Sequence, residues 1–342
     1  MEDEEEFEVM SEVHLGCPPD SHGPHLSRFV ISPPLEAESS RFHKLFICES
    51  SPSNDQSIAL DEDGDLVLPR RRSRFAHSFT LTIQHSITST LRDVGLQVSL
   101  SPSPFPCIHD AYVSCGCVWK AELVLSDFVL HKMCTSSDFD GTVSLEIGCG
   151  TGLVGILLAR VAKVVFLTDY GDEILDNCAQ NVKINSPLLN PLAVVNVREL
   201  DWMGQWPLQN SLSDCKDPKR YSWSSLDLEQ VKSATFVYAA DVIYKDDLTV
   251  ALFSKIERLM SMGSKKVLYL ALEKRYNFSM DEMEVVANGY ACFRRNVREG
   301  QEEETKEAKL VGKRIDITEI PQYVKGYERG QDVELWEIRS AS

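Results

Sequence analysis

The sequence predicts an α/β fold with a doubly wound, mostly parallel sheet, and three observations predict it. Short apolar runs typical of buried strands alternate with longer segments of helical period from Trp119 onward. A turn rich in glycine, with Gly148, Gly150 and Gly152, follows the first of these apolar runs. Acidic residues follow the next runs, which places polar groups at the carboxyl edge of the sheet, where open α/β sheets bind ligands.

Composition and charge narrow the class of protein. The chain has 342 residues, of which 43% are hydrophobic and 25% charged, as is usual for a globular protein. Its net charge of −17 argues against direct binding to nucleic acid and favours a basic protein segment as partner. The sequence has no signal peptide and no apolar run of membrane-spanning length, so we expect a protein of the nucleus or cytoplasm without membrane contact. We also expect a monomer. Ten cysteines without a CxxC pair predict neither a zinc site nor disulfides.

The first third of the chain differs from the rest in composition. Residues 1–73 are acidic and rich in Ser and Pro, which predicts a largely disordered leader in which Phe29–Ile31 can dock as a strand or act as a short linear motif. The cluster Arg70–Arg74 fits a nuclear import signal or a solvated linker, so both compartments stay open. Residues 74–118 are predicted to form a β-hairpin extension, with arms over Phe75–Ile87 and Leu91–Leu100.

The main domain is expected over residues 119–342. It begins with a helix whose apolar face carries Ala121, Val124, Leu125, Phe128 and Val129. Strands are predicted over Val143–Ile147, Val164–Thr168, Ala193–Leu200, Thr235–Ala240 and Val267–Glu273. Helices are predicted after Gly152 and over Asp172–Asn185, Asp247–Met262 and Met280–Asn288. Residues 203–233 form a long polar stretch, in which Lys216–Lys219 is predicted as a surface excursion. Two terminal strands, Tyr290–Val297 and Val333–Arg339, are predicted to form an antiparallel hairpin across a loop over Arg298–Lys309.

Two ligands compete for the glycine turn. Gly150, Gly152 and Gly155 match GxGxxG, and Asp169 follows 19 residues after Gly150, as in dinucleotide-binding folds. Glu146, however, would repel a pyrophosphate and attract an ammonium group. S-adenosylmethionine has such a group.

The three parts of S-adenosylmethionine each have a candidate partner in the sequence. Glu146 and the backbone N–H groups of the glycine turn suit its methionine end, and Asp169 suits the hydroxyls of its ribose. Asp201 and Trp202, after the third strand, offer a carboxylate for the adenine amine and an indole for its ring. We therefore expect S-adenosylmethionine as the cofactor.

Several motifs together resemble the seven-strand methyltransferases that use S-adenosylmethionine, and within that class the family-16 protein-lysine methyltransferases. The resemblance covers residues 75–339. It is carried by Trp119 in CVWKAELVLSDFV, by LEIGCGTGLVGI, by Thr168-Asp169, by Asn181 and Asn185, by Leu200-Asp201-Trp202 and by Asp241-Val242-Ile243-Tyr244. The acidic leader and the insertion after Trp202 resemble the methyltransferase-like protein 22 branch.

The resemblance implies a seven-strand Rossmann-like sheet and roles for individual residues. Contacts to the cofactor are implied for Trp119, Gly148, Cys149, Gly150, Asp169, Trp202 and Ala240, to which the residues themselves add Glu146, Gly152 and Asp201. Asp241 and Tyr244 are implied beside the transferring methyl, as catalytic residues. Val242 and Ile243 replace the paired prolines of enzymes that methylate planar amides and bases, which disfavours such substrates.

The resemblance also implies a substrate, the lysine of a basic, nucleic-acid-binding protein. Three alternatives stay open: methylation of another amine or small molecule, a dinucleotide-dependent oxidoreductase, and a binding module that has lost transfer. All eight histidines lie at or before His131, so the core from Asp140 onward carries no histidine base. We expect no metal, because a sulfonium releases its methyl to a positioned nucleophile without one.

Overall fold

A computed structural model describes residues 14–15, 25–34, 45, 78–85, 118–205, 220–279, 284–300 and 309–341. Its strands are β1 (His14–Leu15), β2 (His25–Ile31), β3 (Phe79–His85), β4 (Val118–Trp119), β5 (Val143–Ile147), β6 (Val164–Asp169), β7 (Val194–Glu199), β8 (Phe236–Ala240), β9 (Val267–Glu273), β10 (Asn277–Ser279), β11 (Glu284–Val286), β12 (Val297–Glu299), β13 (Leu310–Ile315) and β14 (Val333–Ser340). Its α-helices are α1 (Lys120–Thr135), α2 (Leu153–Leu158), α3 (Asp172–Ile184), α4 (Ser225–Ser233), α5 (Asp246–Met260) and α6 (Asn288–Asn296).

The central sheet has the order β12-β13-β14-β9-β8-β5-β6-β7 in the described chain. Strands β9, β8, β5, β6 and β7 run parallel, and β14 runs antiparallel to both β9 and β13. The predicted α/β class, with a mostly parallel sheet and an antiparallel hairpin at its C-terminal side, is confirmed. The described sheet contains eight strands rather than seven, because β12 adds a short parallel strand beside β13.

Helices cover both faces of this sheet, as a doubly wound fold requires. Successive strand residues point to opposite faces, so each buried strand feeds two hydrophobic cores. Leu167 of β6 packs in the core that includes α1, α2 and α3. Phe166 packs in the core that includes α4, α5 and α6. Of the helices in the described chain, none is both long enough and apolar enough to cross a membrane.

Helix α1 is more deeply buried than its predicted single apolar face implies. Leu123 and Leu130 are as buried as Val124 and Val129, although they lie outside that face. The side chain of Asp127 is also buried, where it accepts hydrogen bonds from the backbone N–H groups of the segment 323–324. The C-terminal segment therefore covers the side of α1 that periodicity assigned to solvent.

The two-stranded sheet ahead of the main domain is built from β2 and β3. The predicted strand at Phe29–Ile31 is confirmed as part of β2, which pairs antiparallel with β3 along its whole length. The predicted partner of β3, Leu91–Leu100, lies outside the described residues. Phe29, Ile31, Leu81 and Ile83 are buried, and this shared apolar face explains the pairing of segments far apart in sequence. The division of the chain into segments at residues 73 and 118 stays a prediction. The pairing of β2 with β3 connects the first predicted segment, 1–73, with the second, 74–118.

Three predictions were wrong in the second half of the chain. The predicted helix at 280–288 is replaced by β11, which pairs with β10, and residues 280–283 lie outside the description. The predicted strand at 290–297 is α6, since Tyr290, Phe293 and Val297 follow a helical period against the core. The hairpin partner of β14 is instead β13, which sequence reasoning missed because charged residues flank it.

Helix α4 was also not predicted from the sequence. The polar stretch 203–233, for which no helix was predicted, contains α4. Residues 206–219 of this stretch lie outside the described residues, and with them the surface excursion predicted at Lys216–Lys219. Ser224 caps α4 by accepting a hydrogen bond from the N–H of Asp227, whose side chain accepts one from the N–H of Ser224. This reciprocal capping offsets the weak apolar periodicity of the helix.

Candidate active site

We call the region just beyond the carboxyl ends of β5, β6, β7 and β8 the crevice. Because these strands are parallel neighbours, the loops that follow them meet at one edge of the sheet. The glycine turn follows β5, Asp169 ends β6, Trp202 lies just beyond β7, and Ala240 ends β8. The structure thus brings together the elements that the sequence assigned to one ligand.

The glycine turn has backbone geometry that a residue with a Cβ rarely adopts. Gly148, Gly150 and Gly152 have φ angles of +66°, +48° and +80°. A Cβ at Gly148 would lie 2.6 Å from Cγ1 of Val242 and 3.2 Å from Cζ2 of Trp202. A Cβ at Gly150 would meet no protein atom within 4 Å. Gly148 therefore permits close packing, and Gly150 borders open space in the crevice.

The backbone N–H groups of the turn bond to the protein itself. The N–H of Cys149 donates to Thr168 O (3.0 Å), and that of Gly152 donates to Cys149 O (2.7 Å). The N–H of Gly150 donates to Oδ2 of Asp169 (2.8 Å). Sequence reasoning expected these donors to face a ligand. In the structure they fix the shape of the turn, so what the turn offers at Gly150 is space.

Glu146 lies at the base of the turn and is buried. Its Oε2 accepts a hydrogen bond from the N–H of Gly155 (2.8 Å), in the first turn of α2. Because the N-cap of α2 is Gly152, which has no side chain, the carboxylate of Glu146 supplies the missing cap. Burial raises the pKa of Glu146 well above its ordinary value, and the nearby Glu122 raises it further. One of its two oxygens is thus committed to the fold rather than to a ligand.

Asp169 joins β6 to the glycine turn. Its Oδ1 accepts from the N–H of Tyr170 (2.8 Å), and its Oδ2 accepts from Gly150. Burial raises the pKa of Asp169, whereas these two hydrogen bonds lower it. Each carboxylate oxygen has a second lone pair, so the hydrogen bonds leave acceptor capacity at the crevice.

Trp202 forms a wall of the crevice with Tyr244. The two ring centroids lie 6.5 Å apart, and the edge of Trp202 covers Gly148. Asp201 is partly exposed, and its Oδ1 accepts from the N–H of Met203 (2.8 Å), so one oxygen holds the turn after β7. Burial raises the pKa of Tyr244 to about 12, which keeps its phenol neutral near pH 7.

Asp241 has the most unusual environment in the site. Among the described residues it is the one non-glycine residue with a positive φ (+55°), and its side chain is 2% exposed. Oδ2 bonds Nη2 of Arg275 at 2.5 Å, and the backbone N–H of Glu273 also stabilises the ionised carboxylate. The buried Oδ1 forms no hydrogen bond of ordinary geometry with any described residue. Burial raises the pKa of Asp241, and the guanidinium of Arg275 opposes that rise.

Two residues of the candidate site were not predicted from the sequence. Arg275, two residues beyond β9, pairs with Asp241 and lies over the ring of Trp119, with 4.8 Å from its guanidinium carbon to the ring centroid. Glu122 accepts hydrogen bonds from Thr151 Oγ1 (3.1 Å) and from the N–H of Trp119 (3.4 Å). Two signals in the sequence could have identified them. These are the polar residues after the fifth strand and a glutamate in the first turn of an apolar helix.

The crevice is acidic and partly desolvated. Burial raises the pKa of four buried carboxyl groups of the crevice, Glu122, Glu146, Asp169 and Asp241. A cationic ligand would relieve this cost, since an opposite charge favours the ionised form of a carboxyl. Open space at Gly150 and this acidity fit a nucleoside that carries a sulfonium and an ammonium. The described residues include no group of three or more His, Cys, Asp or Glu side chains that could hold a metal ion.

Known proteins resemble this chain over most of its length. A sequence model of a family described as lysine methyltransferase matches residues 108–288. Methyltransferase-like protein 22 of Mus musculus is 32% identical over 296 residues, which cover 84% of this chain and 67% of that protein. The Homo sapiens protein of the same name is 31% identical over 285 residues, 82% of this chain and 62% of that protein. The matched region thus spans about two thirds of these relatives.

Other matches cover less of this chain. Protein N-lysine methyltransferase METTL21A of Mus musculus is 32% identical over 160 residues, 46% of this chain and 61% of that protein. Among solved structures, magnesium protoporphyrin IX methyltransferase from Synechocystis PCC 6803 with bound SAH is 13% identical, with a TM-score of 0.38, over 65% of this chain and 84% of that chain. The N-methyltransferase NodS from Bradyrhizobium japonicum WM9, in complex with S-adenosyl-L-homocysteine, is 13% identical, with a TM-score of 0.37, over 65% and 88%.

Proposed function

This chain belongs to the lysine methyltransferase family and is an S-adenosylmethionine-dependent methyltransferase, and we propose that its acceptor is the side-chain amine of a lysine in another protein. Bound S-adenosylmethionine supplies an electrophilic methyl group and a neutral thioether as leaving group. Membership of this family excludes the alternative that the chain is a dinucleotide-dependent oxidoreductase. What the chain itself must provide is a site that holds the amine in line with the methyl.

The unpartnered oxygen of Asp241 carries this proposal. A buried carboxylate oxygen without a donor costs free energy, and an amine that enters the crevice would supply the donor. Among the described residues, none gives Oδ1 of Asp241 a hydrogen bond of ordinary geometry. Arg275 holds Oδ2, and the backbone N–H of Glu273 also favours the ionised carboxylate, so its orientation is fixed. Asp241 then orients the amine. The countercharge of Arg275 limits how far the carboxylate would hold the lysine in its protonated, unreactive form.

Tyr244 forms the side of the acceptor site. With a pKa of about 12 the phenol of Tyr244 stays protonated, so it acts as a hydrogen-bonding wall and not as a base. The desolvated surroundings of Tyr244 and Trp202 favour the neutral form of a lysine amine, whose ordinary pKa is about 10.4. The lysine therefore loses its proton to solvent as it enters.

For the cofactor we propose contacts that follow the crevice from β8 to β7. Trp119, Glu146, Gly148, Cys149, Gly150 and Gly152 surround the methionine end, together with Ala240 at the end of β8. Asp169 accepts from the ribose hydroxyls with its remaining lone pairs. Trp202 packs against the adenine ring, and the free oxygen of Asp201 accepts from the adenine amine. Support comes from the position of all of these residues except Trp119 at or just beyond the carboxyl ends of β5, β6, β7 and β8. Trp119 contacts Arg275, which pairs with Asp241 directly after β8.

We propose a basic, nucleic-acid-binding protein as the substrate. The chain has a net charge of −17, and its first residues include an acidic run, which would attract a Lys- and Arg-rich segment. Because such attraction is screened by salt, methylation of the natural substrate should slow as ionic strength rises.

Labelled methyl transfer tests the proposed function. The purified chain and labelled S-adenosylmethionine are added to a lysate that lacks the enzyme, and mass spectrometry locates the methylated residue. We expect Nε-methyl-lysine. Label on another residue type, or on small molecules alone, would overturn the lysine proposal, and no label would favour a binding module that has lost transfer.

A matched pair of variants assigns the role of Asp241. Asp241→Asn should lower transfer about 100-fold while the Kd for S-adenosylhomocysteine changes less than about threefold, because the acceptor is positioned by this carboxylate. Asp227→Asn is the control, since Asp227 forms a comparably buried pair with Arg198 (2.8 Å) away from the glycine turn. Equal activity of the two variants would remove Asp241 from the mechanism.

A further inference from the structure

In the described part of the chain, the outer edge of β3 pairs with two asparagine side chains, one in α3 and one directly after it, instead of with another strand. Asn185, directly after α3, accepts from the N–H of Thr82 (3.0 Å) and donates to its carbonyl (2.8 Å). Asn181 does the same with Gln84, at 2.6 Å and 2.9 Å. Four residues of helix rise about 6 Å, and two residues of strand span about 6.7 Å, so the two amides match alternate strand residues.

The side-chain amide of Asn181 also reaches the glycine turn. Nδ2 of Asn181 donates to the carbonyl of Thr151 (3.1 Å) in addition to that of Gln84. Thr151 lies between Gly150 and Gly152, and its hydroxyl bonds Glu122 on α1. The glycine turn is therefore held from two sides, by a carboxyl from α1 and by an amide from α3.

The position of β3 is set by the remainder of the fold. Its other edge pairs with β2, and the outer edge of β2 bonds the C-terminal segment, through Ser32 N–H to Tyr323 O (3.0 Å) and Lys325 N–H to Val30 O (3.0 Å). The two-stranded sheet is thus fixed on both edges. It supplies Asn181 with one donor and one acceptor that cannot move independently of the main domain.

We infer that Asn181 is a positioning residue for the cofactor, and that β3 is the element that holds it. Gln84 fixes the plane of the Asn181 amide, and the amide sets the carbonyl of Thr151 and with it the turn from Gly150 to Gly152. The strand pair β2–β3 lies outside residues 108–288, the part matched by the family, yet it forms part of the cofactor site. Docking of β3 and binding of S-adenosylmethionine then favour each other, as linked equilibria must.

The two asparagines provide a matched test. Asn181→Ala and Asn185→Ala each remove two hydrogen bonds to β3, but only the first removes the bond to the glycine turn. Calorimetry with S-adenosylhomocysteine should show a Kd about tenfold higher for Asn181→Ala, the worth of one buried hydrogen bond, and within about threefold of the parent for Asn185→Ala. The Tm without ligand should fall by similar amounts in both, which separates positioning from stability.

A second pair tests the part played by β3. Gln84→Pro and Thr82→Pro each delete one outward N–H of the same strand, and only Gln84 faces Asn181. Gln84→Pro should weaken S-adenosylhomocysteine binding about as much as Asn181→Ala, and Thr82→Pro should weaken it much less. Equal Kd values within the asparagine pair would overturn the role of Asn181, and equal values within the proline pair would overturn that of β3. Neither measurement depends on which acceptor is methylated.

Discussion

Nη2 of Arg275 lies 2.5 Å from Oδ2 of Asp241, and this ion pair sits where β8 and β9 end side by side. The side chain of Asp241 is 2% exposed, and the guanidinium of Arg275 is the group that most opposes the rise of its pKa on burial. Arg275 also covers the ring of Trp119 at the start of α1. The pair therefore links the proposed acceptor carboxylate to Trp119, directly before α1.

Removal of Arg275 should destabilise the folded protein through the loss of its ion pair with Asp241. Arg275→Met leaves a buried carboxylate without its partner, so we expect a loss of about 3 kcal/mol in the free energy of unfolding at pH 7. The pKa of Asp241 should rise, because Arg275 is the group that lowers it most. Urea unfolding measures the loss, with Arg275→Lys as the charge-retaining control. A loss below about 0.5 kcal/mol would contradict the ion pair as described.

Two glycines with similar backbone angles separate strain from ligand space. Gly141 and Gly150 have φ angles of +64° and +48°, and a Cβ at either would meet no protein atom within 4 Å. Alanine at each position should therefore cost about 1 kcal/mol of stability. Only Gly150→Ala should also weaken S-adenosylhomocysteine binding, by more than about tenfold, as calorimetry would show. Equal affinities for the two variants would mean that the space beside Gly150 is not the cofactor's.

Stability should depend on pH through Glu122. Burial raises the pKa of this carboxyl from 4.5 to about 8, so the folded protein keeps a proton that the unfolded chain releases. The stabilisation is fully present below pH 4.5 and is lost as pH rises through 8. Glu122→Gln cannot ionise and should show a shallower decline in the free energy of unfolding between pH 5 and pH 9. Glu319→Gln, at an exposed site, is the control and should follow the parent curve.

The protonated phenol of Tyr244 makes a prediction about rate. Since its pKa is about 12, Tyr244 does not ionise between pH 7 and pH 10. Tyr244→Phe should slow methyl transfer through a lost hydrogen bond, roughly three- to tenfold, and should leave the shape of the pH–rate profile unchanged over that range. If the variant lost an ionisation from the profile, Tyr244 would instead act as a base.

Elements with strong local signals were predictable. The strand over Val143–Ile147, the glycine turn and the strand that ends at Asp169 carry their patterns within a few residues, and the structure confirms all three. The secondary structure predicted for residues 280–297 was wrong because short apolar runs there suit a strand or a helix equally. Packing of Phe293 against Trp336 resolved that ambiguity, and these side chains lie far apart in the chain.

The amino-acid order alone determined the class of fold, the crevice at the carboxyl ends of the strands and a cofactor with a cationic end. These follow from local periodicity, from glycines that tolerate positive φ and from the chemistry of individual side chains. The tertiary structure alone decided that β3 pairs with β2, that Asn181 bonds Gln84 across 97 residues, and that Arg275 neutralises Asp241 across 34. Such contacts depend on how distant elements pack, because a hydrogen bond or ion pair forms only where the whole fold brings donor and acceptor within reach.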